Sequence, residues 1–135
     1  MSPKRILAVD FGDRQTGLAA TDFTGSIATP LPALVGLTDA DCVQAIVDIV
    51  KERQTEIVLV GLPLTTAGET GKRARRTMGF VQLLGRRLDC PVEMVDERYT
   101  TDEAHSLLGE LKASRRKKLV DSVAALVILN RFRCT

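Results

Sequence analysis

The spacing of hydrophobic residues follows a strand pattern in the first part of the chain and alternates between helix and strand patterns afterwards. This change limits the folds that the chain can adopt. Five segments have strand patterns, and they cover residues 5–10, 16–22, 27–35, 56–60 and 92–95. The first three follow one another through short connections, which favours an antiparallel meander. Pro30 and Pro32 place the third strand at an edge, because each lacks the amide donor of a ladder hydrogen bond. The later strands alternate with helical patterns, and a strand–helix–strand unit requires a right-handed crossover and parallel pairing. We therefore predict an α/β fold with a mixed five-stranded sheet and helices on both faces.

The helical segments have recognisable starts and apolar faces. Thr38 with Asp41 three residues later is typical of a helix N-terminus, and Thr100 with Glu103 repeats the pattern. A last helix is predicted from about residue 119 to residue 131. The first two helices are expected to bury one stripe each, with Ala40, Val43, Ile46, Val47 and Val50 in the first, and Ala74, Met78, Val81, Leu84 and Leu88 in the second.

Length and composition describe a single domain. The 135 residues are 44% hydrophobic and 27% charged, which is ordinary for a globular protein. No apolar run approaches the roughly 20 residues of a membrane-spanning helix, and the N-terminus lacks the pattern of a signal peptide. We expect one domain over residues 1–135, located in the cytoplasm and without a membrane partner.

Cysteine and histidine offer little chemistry. Cys42, Cys90 and Cys134 are widely spaced, so neither a disulfide framework nor a zinc site is indicated. His105 is the only histidine, and a Ser–His–Asp or Cys–His nucleophile would have to use it. We expect His105 to have an ordinary surface or boundary role.

Basic residues are concentrated in the second half of the chain. The net charge is only +2, but residues 70–135 carry 14 basic and 8 acidic groups, or +6. The excess lies mainly in two clusters, within residues 72–76 and 112–118. Such clusters can neutralise phosphates and bind polyanions. A solvated helix face and a lysine-rich loop would explain the same residues.

Three acids stand beside apolar segments. Asp10 ends the first strand where the chain turns at a glycine, Glu97 ends the last strand, and Asp121 begins the last helix on its apolar row. Open α/β sheets place ligands outside the carboxyl ends of their strands, and carboxylates rarely face a core without a partner. Each acid also has a plain structural explanation as a cap or an ion-pair partner.

Convergence of these three acids would require cations to neutralise them. Hard oxygen ligands favour Mg²⁺ or Mn²⁺, and two such ions about 4 Å apart can activate a water and stabilise the leaving oxygen of a phosphodiester. The basic second half would hold a nucleic-acid backbone. Site and charge thus point to one reaction class, the metal-dependent hydrolysis of nucleic acid.

Four motifs in order resemble the YqgF family, also called RuvX, whose members have an RNase H-like fold related to the RuvC Holliday-junction resolvases. The motifs are Asp10-Phe11-Gly12 with Gly17, Val60-Gly61-Leu62-Pro63-Leu64, Asp96-Glu97-Arg98-Tyr99-Thr100-Thr101 and Asp121-Ser122-Val123-Ala124-Ala125. The resemblance implies that Asp10, Glu97 and Asp121 are the catalytic, metal-binding acids. It also implies processing of the 5′ end of pre-16S ribosomal RNA, with resolution of four-way DNA junctions as the alternative.

The resemblance also bears on nucleic-acid contacts. Arg14 and Arg98 match basic positions of the family motifs, and the basic clusters add the further candidates Lys72, Arg73, Arg76, Arg115 and Lys117. The family commonly has Asn and then an acidic residue before the glycine after Leu64, whereas this chain has Thr65-Thr66-Ala67-Gly68. The loss of that amide and acid bears on substrate positioning by this loop and leaves the three acids intact.

Two other function classes stay open on the residues alone. Asp10-x-Gly12 followed by Gly17 also resembles the first phosphate loop of the actin and sugar-kinase ATPases, but those proteins need two such domains. A non-catalytic nucleic-acid-binding or ribosome-assembly module would account for the substituted loop but not for the three acids. The residues do not choose between RNA and DNA, or between a monomer and a homodimer.

Overall fold

The computed structural model describes residues 4–63, 71–96 and 122–133. The strands are β1 Ile6–Asp10, β2 Gln15–Thr21, β3 Ala28–Val35, β4 Ile57–Leu62 and β5 Val92–Asp96, and the helices are α1 Asp39–Arg53, α2 Lys72–Arg87 and α3 Val123–Arg133. All five predicted strands are present, with ends that differ by one or two residues. The helix predicted to start near Thr100 lies outside the described residues.

The five strands form one mixed sheet in the order β3-β2-β1-β4-β5. β1 pairs antiparallel with β2 and β2 pairs antiparallel with β3, whereas the β1–β4 and β4–β5 pairs are parallel. The meander and the parallel region predicted from the hydrophobic period are confirmed. β3 is an edge strand, as Pro30 and Pro32 indicated.

Alternation along β1 divides the core into two layers. Leu7 and Val9 belong to the layer beneath α1 and α2, whereas Ile6 and Ala8 belong to the layer beneath α3. All four are buried because both faces of the sheet are covered. By the same alternation, Asp10 lies on the α3 face of the sheet.

The buried face of α2 differs from the predicted stripe. Met78 was expected in the core but is 39% exposed, whereas Thr77 and Phe80 are buried. The ring of Phe80 stacks on Phe11 with centroids 4.0 Å apart. Phe80 rather than Met78 therefore lies on the buried side of α2.

The start of α1 follows the prediction more closely. Thr38 Oγ1 accepts a hydrogen bond from the Asp41 amide at 3.1 Å, so the predicted cap is confirmed. Ala40, which was expected in the buried stripe, is exposed, and Cys42 is buried instead.

α3 covers the second face of the sheet with an apolar surface. Its eleven residues include six buried ones, namely Val123, Ala125, Leu126, Val127, Ile128 and Leu129. They pack mainly on β1 and β2. Among the residues that the structure describes, no helix is long and apolar enough to cross a membrane.

Candidate active site at the carboxyl ends of the parallel strands

The parallel strands end together at one edge of the sheet. Leu62, the last residue of β4, is level with Asp96, the last residue of β5. Val9 in β1 is level with Val60 in β4, so Asp10 reaches the same edge one residue later. Ligands of open α/β sheets bind outside this edge. The predicted position of Asp10 at the carboxyl end of a buried strand is therefore confirmed.

Glycine stands opposite Asp10 in the neighbouring strand. Asp10 pairs with Gly17 of β2, and directly opposed residues of an antiparallel pair share one face of the sheet at about 4.5–5.5 Å. Gly17 therefore brings no side chain to the face on which Asp10 lies. The side chain of Asp10 itself is partly buried.

Ser122 ties the residue before α3 to this edge. Its Oγ accepts a hydrogen bond from the amide of Leu18 at 3.1 Å and donates one to the carbonyl oxygen of Leu31 at 2.5 Å. The β2–β3 register shifts just before Leu18, so the hydroxyl forms hydrogen bonds with backbone groups where the strand pairing is irregular. Leu18 is level with Val9, which directly precedes Asp10.

The turn after β1 is closed tightly at a glycine. A Cβ atom on Gly12 would lie 2.5 Å from the carbonyl oxygen of Gln15, so a larger residue requires the backbone to shift. Arg14, a predicted phosphate contact, is exposed in this turn. Its carbonyl oxygen accepts a hydrogen bond from the amide of Gly36 at 3.0 Å. The turn is thus held while the Arg14 side chain faces outwards.

Arg76 of α2 reaches the same turn. Its Nε donates to Asp13 Oδ1 at 2.6 Å, and its two Nη atoms each donate to one carboxylate oxygen of Asp39 at 3.2 Å. The hydrogen bond to Asp13, followed by those to Asp39, raises the pKa of Arg76. A residue predicted as a phosphate contact is therefore paired with two carboxylates, a relation that the sequence pattern did not indicate.

Other basic side chains of α2 extend from the surface. The helix sequence KRARRTMGFVQLLGRR contains no acidic residue. Lys72, Arg73 and Arg75 are exposed, and their side chains form no hydrogen bond or ion pair within the part of the chain that the structure describes. Arg73 lines a small groove together with Gly12 and Arg76. Lys72 and Arg73 remain predicted phosphate contacts, and Arg75 is exposed on the same helix.

Arg131 was not singled out by the sequence. Its Nη1 donates to the carbonyl oxygen of Asp96 at 2.9 Å, which places a cation at the end of β5. The one signal in the sequence is an arginine that continues an apolar helix. Such a residue must direct its charge to a partner at the edge of the core.

Several predicted site residues lie outside the described residues. They are Glu97, Arg98, Arg115, Lys117 and Asp121; the substituted loop residues 65–68 and His105, for which no site role is predicted, also lie outside the described residues. Within ranges 4–63, 71–96 and 122–133, no group of three acidic, histidine or cysteine side chains could hold a metal ion. Asp10 does offer the hard carboxylate oxygens that Mg²⁺ and Mn²⁺ prefer, so the donor that is described fits such an ion.

Comparison with known proteins assigns the family. Residues 4–133 match the profile of a family described as RuvX, Holliday junction resolvase. The chain belongs to the RuvX family. A relative in Chloroflexus aurantiacus named "Putative pre-16S rRNA nuclease" is 40% identical over 98% of this chain and 88% of its own length. A relative of the same name in Halothermothrix orenii is 35% identical, over 95% and 93% of the two chains.

Solved structures show the fold of this RuvX family member. Thermus thermophilus RuvC superposes with a TM-score of 0.61 at 16% identity, covering 96% of each chain. A Fowlpox virus resolvase in complex with Holliday junction DNA has a TM-score of 0.58 at 11% identity, covering 96% of this chain and 97% of the viral one. The RNase H-like fold implied by the four motifs is confirmed.

Proposed function

We propose that this RuvX family member is a divalent-metal-dependent nuclease that hydrolyses phosphodiester bonds of structured nucleic acid, with precursor 16S ribosomal RNA as its first candidate substrate. The observation that carries the proposal is the position of Asp10. This carboxylate ends a buried central strand at the ligand-binding edge, on the face covered by α3. Processing of ribosomal RNA would take place in the cytoplasm.

The two other acids are connected directly to residues at this edge. Glu97 follows Asp96 in the sequence, and Val95, two residues earlier, packs in the core layer on the α3 face. Val95 therefore lies on the same face of the sheet as Asp10. Asp121 precedes Ser122, which is hydrogen-bonded beside the end of β1. These connections support convergence of the three acids.

The three acids would hold Mg²⁺ or Mn²⁺, with two ions as the full complement. Such ions supply Lewis-acid stabilisation of the phosphate charge and lower the pKa of water. The protein's own contribution is orientation. Asp10 is held by its strand, and Ser122 holds the chain next to Asp121 through the Leu18 amide.

Cationic side chains around this edge would bind the phosphate backbone. Lys72, Arg73 and Arg75 are exposed and project from the first turns of α2, and Arg14 is exposed in the turn after Asp10. Arg98, Arg115 and Lys117 complete the proposed set. Such contacts make affinity depend on salt and carry no base sequence information.

Resolution of four-way DNA junctions is the second candidate function. The family description names a Holliday junction resolvase, and the similar folds include RuvC and a viral resolvase. The curated relatives are instead named for pre-16S rRNA. Symmetrical cutting of a junction needs two active sites and hence a homodimer, whereas trimming of an RNA precursor can be done by a monomer.

The deciding experiment compares substrates under controlled metal conditions. A pre-16S 5′ leader, a four-way DNA junction and plain single strands are incubated with wild-type protein and Asp10→Asn in Mg²⁺, Mn²⁺ or EDTA. We expect metal-dependent cleavage by the wild type and a loss of about 100-fold or more in the variant, since removal of a metal ligand costs several kcal/mol of transition-state stabilisation. The substrate cut fastest identifies the function.

Asp22→Asn is the matched control. It makes the same substitution at an exposed turn between β2 and β3, away from the carboxyl edge. We expect it to cleave like the wild type, and both variants to bind nucleic acid in EDTA. Undiminished cleavage by Asp10→Asn would contradict the proposal, and binding without cleavage by the wild type under every condition would favour the assembly-module alternative.

A further inference from the structure

Arg76 belongs to the basic cluster of α2, but its guanidinium group is already occupied within the protein. We propose that Arg76 is a positioning residue that holds the turn after Asp10 in the geometry that the Asp10 carboxylate needs to bind a divalent cation. It is not a phosphate contact. This inference rests on the proposed function at one point, the assignment of Asp10 as a metal ligand.

The hydrogen bonds of Arg76 join three separate parts of the fold. Arg76 lies on α2, Asp13 lies in the turn after β1, and Asp39 is the first residue of α1. The planar fork reaches both acids at once, with distances of 2.6 Å to Asp13 and 3.2 Å for each bond to Asp39. A lysine could not reproduce this arrangement, because its ammonium is a point charge without a fork.

The charge of this cluster argues against phosphate binding by Arg76. One positive guanidinium faces the two negative carboxylates of Asp13 and Asp39. The cluster is therefore formally negative, and a phosphate that approached Arg76 would meet two acids. Arg73, three residues earlier on α2, is exposed and has no such partner among the described residues.

The position of Phe11 connects Arg76 to Asp10. The guanidinium carbon of Arg76 lies 5.0 Å from the centre of the Phe11 ring, and the ring also stacks on Phe80 with an interplanar angle of 10°. Phe11 directly follows Asp10 and is only 5% exposed. Phe11 packs in the core layer beneath α1 and α2, whereas Asp10 ends β1 on the α3 face, so holding Phe11 constrains the backbone at Asp10.

The charge of Arg76 and its positioning role predict opposite changes in Mn²⁺ affinity when Arg76 is replaced. Removal of the Arg76 charge would, by Coulomb's law alone, strengthen the binding of a cation nearby. Loss of a positioning contact would weaken it. A weaker affinity of Arg76→Gln for Mn²⁺ therefore reports positioning and cannot arise from simple electrostatics.

The experiment compares Arg76→Gln with Arg73→Gln, which removes the same charge from the same helix. Mn²⁺ affinity is measured by calorimetry without nucleic acid, and the dependence of nucleic-acid affinity on salt is measured in EDTA. For Arg76→Gln we expect Mn²⁺ affinity to fall about tenfold, the lower end of losses seen when groups supporting a metal ligand are removed. Its salt slope should not change.

Arg73→Gln should show the reverse pattern. Its Mn²⁺ affinity should not fall, and its salt slope should decrease by about 0.7–0.9, the contribution of one phosphate contact. Arg76→Lys should resemble Arg76→Gln because the fork is lost. A reduced salt slope with unchanged Mn²⁺ affinity in Arg76→Gln, or wild-type Mn²⁺ affinity in Arg76→Lys, would overturn the inference.

Two further measurements keep the role of Arg76 separate from the proposed function. Asp39→Ala removes two of the Arg76 hydrogen bonds without changing α2, so it serves if Arg76→Gln does not fold. Backbone amide resonances of residues 10–13 in the metal-free protein should shift in Arg76→Gln and not in Arg73→Gln, and unshifted resonances overturn the inference. Failure of the proposed function shows separately, as equal Mn²⁺ affinity of the wild type and Asp10→Asn.

Discussion

The hydroxyl oxygen of Ser122 lies 3.1 Å from the amide nitrogen of Leu18, although 104 residues separate them in the chain. The same hydroxyl donates to the carbonyl oxygen of Leu31. Ser122 is completely buried, so its hydroxyl is shielded from solvent. One side chain thus satisfies two backbone groups where the β2–β3 ladder is irregular.

Ser122→Ala is expected to destabilise the protein. The variant leaves the amide of Leu18 and the carbonyl of Leu31 without this partner, and an unsatisfied buried group costs about 1–3 kcal/mol. The free energy of unfolding, measured by urea denaturation, should fall by this amount. Ser26→Ala, at an exposed serine of the β2–β3 turn, should change it by less than about 0.5 kcal/mol. Equal stability of the two variants would show that the buried hydroxyl is dispensable.

Replacement of each of two glycines by alanine should change the stability of the protein in opposite directions. A Cβ at Gly12 would lie 2.5 Å from a backbone oxygen, whereas a Cβ at Gly79, within α2, meets nothing within 4 Å. Gly12→Ala should lose about 1–3 kcal/mol of stability because the backbone must shift. Gly79→Ala should gain about 0.5–1 kcal/mol because alanine loses less conformational entropy in a helix. Thermal unfolding of both variants tests these two predictions. Destabilisation by Gly79→Ala would contradict the presence of open space around a Cβ at Gly79.

Asp22 should make the free energy of unfolding depend on pH in acidic solution. Asp22 Oδ1 accepts hydrogen bonds from the Thr24 hydroxyl at 2.8 Å and from the amides of Ser26 and Ile27 at 3.0 and 3.2 Å. The Thr24 bond, assisted by the backbone bonds, lowers the pKa of Asp22 below its usual value of 3.8. A depressed folded-state pKa contributes stability that is present above the unfolded value, about 3.9, and is lost as the pH falls through the folded value.

An NMR titration of the Asp22 carboxyl carbon measures this pKa directly. Thr24→Ala removes the largest contribution, so the pKa of Asp22 should rise towards its usual value in that variant. In Asp22→Asn, the loss of stability on acidification below about pH 4 should be shallower than in the wild type. A midpoint for Asp22 at or above 3.8 would rule out the effect.

The arrangement of the described elements was predictable from the order and type of the residues. Alternating and helical hydrophobic periods predicted the five strands, the antiparallel and parallel regions and the edge position of β3, because these features follow from local backbone preferences and from which faces are buried. The capping pattern at Thr38 and the place of Asp10 at the end of a central strand followed in the same way. The four motifs, which depend on residue identity and order alone, were sufficient to indicate the RuvX family.

The contacts between side chains that are distant in the sequence could be seen only in the folded protein. Arg76 looked like one of a run of equivalent basic residues, but it pairs with Asp13 and Asp39, which lie 63 and 37 residues away. Likewise, the helical spacing placed Met78 in the core of α2, whereas the structure exposes Met78 and buries Phe80, which stacks on Phe11. Hydrophobic period and charge depend on residue type and local spacing. A partner distant in the chain is instead chosen by packing of the completed sheet and helices, because several arrangements satisfy the same local pattern and only one fills the core.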